Sequence, residues 1–219
     1  MRTRAAGFTL IEVLLATVLL AAGLALAFAT LRSSTAMVGR GEAIAQRNEH
    51  MRAVQAYLRA RLSSAQPIVF ATDRATLQQA RFIGAPQRMR FVADLPDYLG
   101  HGGPYLHDIG ADGQGRLQVA FAVAQPDRSL DEVELQAREL RPERLADGLR
   151  AVRFQYRGLD QDNRLGPWQD RWETSDLLPL QVKVEVEAAD GVHWPDLVVT
   201  LVRSEGGAGG GLLPPGGRP

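Results

Sequence analysis

The chain of 219 residues contains no cysteine, and this absence excludes disulfide bonds, thiolate metal sites and cysteine nucleophiles. An excess of charge is lacking too, since 25 basic residues balance 25 acidic ones, and this balance does not favour nucleic acid as a partner. The sequence also lacks G-x-S-x-G, a phosphate-binding glycine loop and H-E-x-x-H. We therefore expect a protein without catalysis or cofactor, whose partners are other proteins.

Two groups of polar residues match the residue spacing of metal-binding sites only in part. His101 and His107 bracket a glycine-rich stretch with only Asp108 nearby, and no helical pattern aligns their rings. The second group alternates as in a calcium loop but lacks the downstream glutamate of that loop, and consists of Asp160, Asp162 and Asn163. We predict no metal site and interpret the acidic group as a solvated turn.

What the sequence does contain is an apolar run of membrane length, from Gly7 to about Leu31. At roughly 1.5 Å per helical residue, the run reaches about 36 Å, which exceeds a hydrocarbon core of about 30 Å. Inside the run lies Glu12, and a charged, unpaired carboxylate costs a few kcal/mol in lipid. The run predicts a transmembrane helix over residues 8–31 whose acidic side chain needs a partner.

The short basic tract with Arg2 and Arg4, the glycine at position 7 and the apolar run with its acid resemble the class III signal of type IV pilins and their relatives. The resemblance implies that residues 1–7 are a leader, that prepilin peptidase cuts after Gly7, and that the new terminal amine of Phe8 is methylated. It implies further that Glu12 meets the terminal amine of a neighbouring subunit during assembly. Opposite charges about 4 Å apart attract by about 4 kcal/mol at an effective dielectric of about 20, comparable to the cost of the carboxylate in lipid.

An ordinary secretory signal is the alternative interpretation of the same stretch. Its cleavage would fall near Ala27 or Ala29 and would release a soluble periplasmic protein. Such signals seldom carry an acid in the apolar core, and here the helical pattern continues beyond the expected cleavage point. Both observations favour the pilin-like signal.

The helical pattern continues because the stretch from Leu31 to Ser64 contains no proline, and Pro67 is expected to end it at about residue 65. Apolar residues recur on one helical face at Ile44, Met51, Val54, Leu58 and Leu62. One helix has more apolar face than a small sheet usually covers. We therefore predict a partner-facing helix surface on Ile44, Met51, Val54 and Leu58, above all at its Ile44 end.

The rest of the chain has the pattern of strands and turns. Apolar and polar residues alternate, or short apolar runs occur, at 81–83, 89–92, 117–123, 152–156, 180–186 and 197–201. Residues 133–137 also alternate, although that segment fits a helix as well. The strands follow one another without helical patterns between them, which predicts a mostly antiparallel sheet and an α+β, pilin-like fold with a long N-terminal helix packed on the sheet.

These elements define one domain over residues 32–203 after the membrane span. The last residues, 204–219, are rich in glycine and proline and poor in apolar side chains. A segment of this composition cannot bury enough apolar surface to fold, so we predict a disordered tail.

A second resemblance rests on Phe154-Gln155-Tyr156, Gly166-Pro167-Trp168, Trp172 and Leu178-Pro179-Leu180. This segment resembles the C-terminal part of the J-type minor pseudopilin of the bacterial type II secretion system, and the stretch from Leu95 to Tyr105 fits that family less distinctively. Judged from the residues alone, Trp168 and Trp172 need only be large packing residues on a loop that covers the sheet. Major pilins commonly carry a proline about where Ala29 stands, so its absence argues against an abundant pilus subunit.

The J-type resemblance implies a structural role at the tip of the secretion pseudopilus, in starting assembly for the export of folded proteins across the outer membrane. Its implied partners are the I-type and K-type minor pseudopilins, the major pseudopilin and prepilin peptidase, with no nucleic acid among them. The implied location is the inner membrane, with a single pass and the C-terminal domain in the periplasm. A minor pilin of a type IV pilus is the alternative within the same superfamily.

Overall fold

The computed structural model describes residues 9–95, 103–173 and 176–201, with the backbone alone for residues 33–40. Helix α1 runs from Leu10 to Ser63, and its first 23 residues, Leu10–Arg32, are long and apolar enough to cross a membrane. The helix ends at two serines whose hydroxyls donate to the last turn, Ser63 Oγ to Ala60 O and Ser64 Oγ to Arg61 O, both at 3.1 Å. The predicted leader and the cleavage residues Gly7 and Phe8 lie outside the described residues, as does the tail 204–219.

The chain divides into two units between His50 and Met51. In the first unit, every described side chain from Thr9 to His50 is exposed. The second unit contains the end of α1 and the strands, and it has its own hydrophobic core. The physical environment of the two units therefore differs, since only the second buries its apolar side chains within the chain.

Most strands of the second unit form a six-stranded sheet with the order β1-β5-β6-β7-β8, in which β4 also pairs with β5. Its strands are β1 (Ala65–Gln66), β4 (Phe82–Ala85), β5 (Arg88–Asp94), β6 (Pro104–Ala111), β7 (Leu117–Val123) and β8 (Glu143–Ala146). A short ladder of β2 (Ala71–Thr72) and β3 (Gln79–Ala80) lies between β1 and β4 in the chain. Helix α2 (Leu130–Glu139) lies between β7 and β8 in the chain.

The second sheet has three strands in the order β11-β10-β9, formed by β9 (Leu149–Arg157), β10 (Gln181–Ala188) and β11 (Leu197–Thr200). Every ladder in the described part of the chain is antiparallel. The predicted α+β class and the antiparallel sheet are therefore confirmed.

The core of the second unit is shared by α1 and both sheets. Val54, Leu58 and Leu62 of α1 pack in one cluster with side chains from β5 and β9, among them Phe91 and Phe154. The other face of β5 and β6 packs through Val92 and Leu106 against Val133 of α2. The six-stranded sheet is thus covered by α1 on one face and by α2 on the other.

The predicted strands at 81–83, 89–92, 117–123, 152–156, 180–186 and 197–201 are all present. Residues 133–137, which fitted both a strand and a helix, belong to α2. Strands β6 and β8 and the two-residue strands β1, β2 and β3 were not predicted. Strand β6 pairs with both β5 and β7 in the middle of the large sheet. The sequence analysis therefore missed a central strand.

Candidate functional site

The N-terminal part of the site consists of Glu12 and the first turn of α1. The carbonyl oxygen of Thr9 accepts hydrogen bonds from the N–H groups of Glu12 and Val13, at 3.1 and 3.3 Å. These bonds place Glu12 in the first helical turn, with its side chain exposed. Its predicted partner, the terminal amine of a neighbouring Phe8, involves a residue outside the described ranges.

The membrane span offers only apolar surface around that carboxylate. None of the 23 residues from Leu10 to Arg32 is buried within the chain. Its two threonines, Thr17 and Thr30, donate their hydroxyl protons to Leu14 O and Ala27 O at 2.9 and 2.8 Å, so their polar groups are satisfied inside the helix. This leaves Glu12 as the ionisable side chain within the described part of the span before Arg32.

The partner-facing helix surface needs a correction. Val54 and Leu58 are only 4% and 1% exposed, because they pack under the sheets of their own domain, and they cannot also face a partner. Met51 is half-buried against the same core. Ile44 is 60% exposed. Of the four residues of the predicted surface, Ile44 is thus exposed and Met51 is partly exposed.

The tryptophan segment joins the two sheets of the second unit. The N–H of Trp172 donates to Gly84 O at 3.0 Å, and Gln169 exchanges two hydrogen bonds of 2.8 Å with the backbone of Tyr156. The indole N–H of Trp172 donates to Leu177 O at 2.8 Å, which anchors the stretch before the buried Leu178. The segment that carries the second resemblance thus connects β4 of one sheet to β9 of the other.

Close packing at this junction depends on two glycines. A Cβ atom at Gly84 would lie 2.6 Å from the Tyr156 ring, and one at Gly158 would lie 2.8 Å from the Trp172 ring. The Tyr156 hydroxyl donates to Ala85 O at 2.8 Å, and burial raises the pKa of Tyr156 far above its usual value. Tyr156 is therefore a neutral hydrogen-bond donor that ties β9 to the last residue of β4.

Trp168 lies over the polar face of the three-stranded sheet. The Arg157 guanidinium stands 4.3 Å from the centre of the indole ring, and the Lys183 ammonium stands 5.3 Å from it. Lys183 also pairs with Glu185 at 2.8 Å. Beside them, Arg153 pairs with Asp170 at 2.8 Å and lowers the pKa of that carboxyl. The loop is thereby held on the sheet by cation–π contacts and an ion pair.

The described residues that were considered for metal binding lie in separate environments. His107 is fully buried between the rings of Phe91 and Phe121, at centroid distances of 5.6 and 5.1 Å. His101 lies outside the described residues. The Asp160 carboxylate accepts hydrogen bonds from the backbone N–H groups of Asp162 and Arg164, at 3.0 and 2.8 Å. The described residues contain no cluster of ligands suited to a metal ion.

A buried ion cluster connects β5 and β6 to α2, and the sequence did not predict it. The Asp108 carboxylate accepts from Arg88 at 2.6 Å and from Arg90 at 2.9 Å, and both arginines also pair with Glu134 of α2. Arg90 and Asp108 are almost completely buried. Their partners lie on three separate elements, so no local sequence pattern could have indicated the cluster.

Comparison with known proteins agrees with these features. The profile of the prokaryotic N-terminal methylation motif matches residues 2–28. Type II secretion system protein J of Xanthomonas campestris pv. campestris is 53% identical over 211 residues, which cover 94% of this chain and 98% of that protein. The solved GspK-GspI-GspJ complex of the enterotoxigenic Escherichia coli type 2 secretion system contains a similar chain with 14% identity and a TM-score of 0.48, covering 69% of this chain and 95% of that one.

The apolar first helix, the methylation motif and the antiparallel sheets define a pilin-like, membrane-anchored protein with a single described span. The high identity to protein J, over nearly the whole length of both chains, then identifies the particular family. The chain belongs to the type II secretion system protein J family, the J-type minor pseudopilins.

Proposed function

We propose that this minor pseudopilin acts at the tip of the type II secretion pseudopilus, where it starts assembly together with the I-type and K-type minor pseudopilins. Such an assembly would serve the export of folded proteins across the outer membrane. The observation that carries the proposal is the 53% identity to protein J over nearly the whole length of both chains. The role requires no catalysis by this chain.

Maturation by prepilin peptidase is part of the proposal. Cleavage after Gly7 would remove the basic leader and leave Phe8 as a methylated terminal residue. The methylation motif, which spans residues 2–28, supports this step. The helix from Leu10 would then anchor the protein in the inner membrane, with the second unit in the periplasm.

Two features of α1 would mediate assembly. Glu12 would pair with the terminal amine of a neighbouring pseudopilin, and this attraction would offset the unfavourable free energy of a charged carboxylate in lipid. Ile44 and the exposed part of Met51 would meet a helix of another minor pseudopilin, since an exposed isoleucine on a helix outside the membrane gains from being covered. The major pseudopilin would join below this tip complex.

The first test is the intact mass of the full chain after extraction from the membrane in mild detergent. We expect a chain that begins at Phe8 and carries one added methyl group. A chain that begins near Ala27 or Ala29 would instead indicate a secretory signal and would overturn the proposal.

The second test uses Glu12→Leu and follows the subunits that are isolated together with this chain. Removal of the charge favours insertion by a few kcal/mol, so the variant should remain in the membrane fraction. We expect it to lose the I-type and K-type subunits, whereas the matched control Glu42→Leu, on the exposed helix beyond the span, should retain them. Retention of the partners by both variants would show that Glu12 has no role in assembly.

A further inference from the structure

Strand β7 has a partner strand along its whole length on one side only. Its ladder with β6 reaches Val123, whereas its ladder with β8 ends at Val119, opposite the first residue of β8. Pro142 precedes that residue, and no other strand of the described chain pairs with β7 beyond it. Residues 120–123, the β7 edge, therefore form an open margin of the large sheet.

The hydrogen-bond register shows which backbone groups face this margin. The N–H of Ala111 donates to Gln87 O beside β5, so the odd-numbered residues of β6 bond to β5. In an antiparallel sheet the bonded positions alternate, so the even-numbered residues of β6 and β7 bond to each other. The N–H and C=O groups of Phe121 and Val123 therefore point away from β6. They have no hydrogen-bond partner within the described part of the chain.

The side chains of the same residues lose their cover toward the end of the strand. Leu117 and Val119 are buried, Phe121 is partly exposed and Val123 is 56% exposed. Because these four side chains alternate onto one face of the sheet, an apolar row that begins in the core continues into solvent. The β7 edge thus combines open backbone groups with uncovered apolar side chains.

Other edges of the two sheets are closed by contacts or by charge. Side chains of α1 cover the edge of β11, where Gln55 Nε2 donates to Pro195 O at 2.6 Å and Arg59 donates to Val198 O. The tryptophan segment pairs with the outer edges of β4 and β9. Strand β8 begins with two exposed charged residues, which hinder the pairing of an added strand. The β7 edge is neutral and apolar by comparison.

We propose that the β7 edge accepts a strand of a neighbouring minor pseudopilin, which extends the large sheet beside β7. Phe121 and Val123 specify that strand, since each offers one N–H and one C=O and needs an apolar side chain packed over its own. An edge of four residues is too short to hold a free peptide, because stable interfaces bury about 800 Å² per partner. The occupant is therefore a chain already held by other contacts, and its identity as a minor pseudopilin rests on the proposed function.

The first experiment compares amide hydrogen exchange of the full chain alone and in complex with the I-type and K-type subunits, both in detergent. Exchange is read at single residues by fragmentation and mass spectrometry. We expect exchange at the Phe121 and Val123 amides to slow about tenfold in the complex. The amides of Ala120 and Ala122, which bond to β6, should exchange slowly in both samples. Unchanged exchange at Phe121 and Val123 in the complex would overturn the inference and leave the proposed function standing.

The second experiment blocks the open edge with proline. Val123→Pro removes an outward N–H that takes no part in the ladder with β6, and edge strands tolerate proline at such a position. We expect the affinity of the full chain for the two subunits to fall about tenfold. The matched control is Val198→Pro on β11, whose backbone also faces outward because its carbonyl accepts from Arg59. This control should bind as the original chain does.

The outcomes separate this inference from the proposed function. If Val123→Pro and Val198→Pro bind the two subunits as tightly as the original chain, the β7 edge accepts no strand, although the chain still assembles with its partners. If the original chain does not bind those subunits at all, the proposed function fails and the inference fails with it.

Discussion

His107 is an ionisable side chain without exposed surface in a core of aromatic rings. Its Nδ1 atom lies 3.0 Å from Tyr105 O, and its Nε2 atom has no hydrogen-bond partner among the described residues. Burial lowers the pKa of His107 from 6.5 to about 4. The folded domain therefore holds this imidazole neutral at pH values at which the unfolded chain binds a proton.

This difference predicts a loss of stability in mild acid. The contribution of His107 is fully present above about pH 6.5 and is lost as the pH falls to about 4, and a shift of this size corresponds to about 3 kcal/mol. In His107→Phe, which keeps an aromatic ring between its neighbours, this part of the pH dependence should disappear. Urea denaturation of the soluble domain starting near Ala36, at several pH values, measures the effect.

Other groups also titrate in this range, so the comparison needs a second histidine. His193 is exposed and lies outside the aromatic cluster around His107, so His193→Gln controls for the loss of a histidine as such. If His107→Phe and the original domain lose the same free energy of unfolding between neutral pH and pH 4, the burial of His107 has no such effect.

At the scale of elements, the junction between the two sheets depends on the absence of a side chain at Gly84. Gly84→Ala would place a methyl group 2.6 to 2.9 Å from three atoms of the Tyr156 ring, which is itself fixed by its hydrogen bond to Ala85 O. We expect the free energy of unfolding to fall by about 1–3 kcal/mol, as for other overpacked sites. Thermal or urea denaturation of the soluble domain measures the change.

Gly113 provides the matched control for this substitution. A Cβ at Gly113 would meet nothing within 4 Å, so Gly113→Ala should change stability by less than about 0.5 kcal/mol. Equal stability of the Gly84 and Gly113 variants would mean that the Tyr156 ring moves aside at little cost.

The sequence predicted those elements whose pattern is local. Strands β9 and β10 alternate apolar and polar residues, and β7 and β11 carry a large apolar residue at every second position, so each was predicted from that period. Strand β6 was missed because His107 and Asp108 interrupt it with polar side chains. Both are buried because aromatic rings on β5 and β7 cover the histidine and arginines of β5 pair with the aspartate. The partners that allow these two polar side chains to be buried lie on neighbouring strands, so the sequence of β6 alone does not indicate a buried strand.

Helix α2 is the opposite case, because its sequence contains a local signal for the start of a helix. Val133 and Leu135 alternate with acidic residues as a strand would, but Ser129 and Glu132 stand at the spacing of a capping box. That spacing favours a helix beginning at Leu130, which is the start that the structure has. The correction at Val54 and Leu58 has another cause, since periodicity identifies an apolar face but not what covers it.

At the scale of the whole molecule, the exposed Ile44 of α1 is the contact point with other minor pseudopilins that the proposed function implies. Ile44→Glu should weaken the complex of the full chain with the I-type and K-type subunits by more than about 1 kcal/mol, because it places an unpaired charge in an apolar contact. The second unit should remain folded, since Ile44 is exposed and lies outside it. Calorimetry or analytical ultracentrifugation in detergent measures the affinity.

Gln46→Glu is the control for this prediction. It adds the same charge two residues away, on nearly the opposite face of the helix, and should leave the affinity unchanged. A complex that tolerates Ile44→Glu as well as it tolerates Gln46→Glu would show that this helix face is not the contact surface.

The contact of Lys183 with Trp168 has a practical consequence for chemical labelling. Lys183 is the one lysine in the sequence, and its side chain is 17% exposed, paired with Glu185 and placed beside the indole ring. A side chain with so little exposed surface is poorly accessible to acylating reagents. Amine-directed reagents would therefore label the second unit poorly, and mapping its neighbours calls for carboxylate-directed or light-activated chemistry instead.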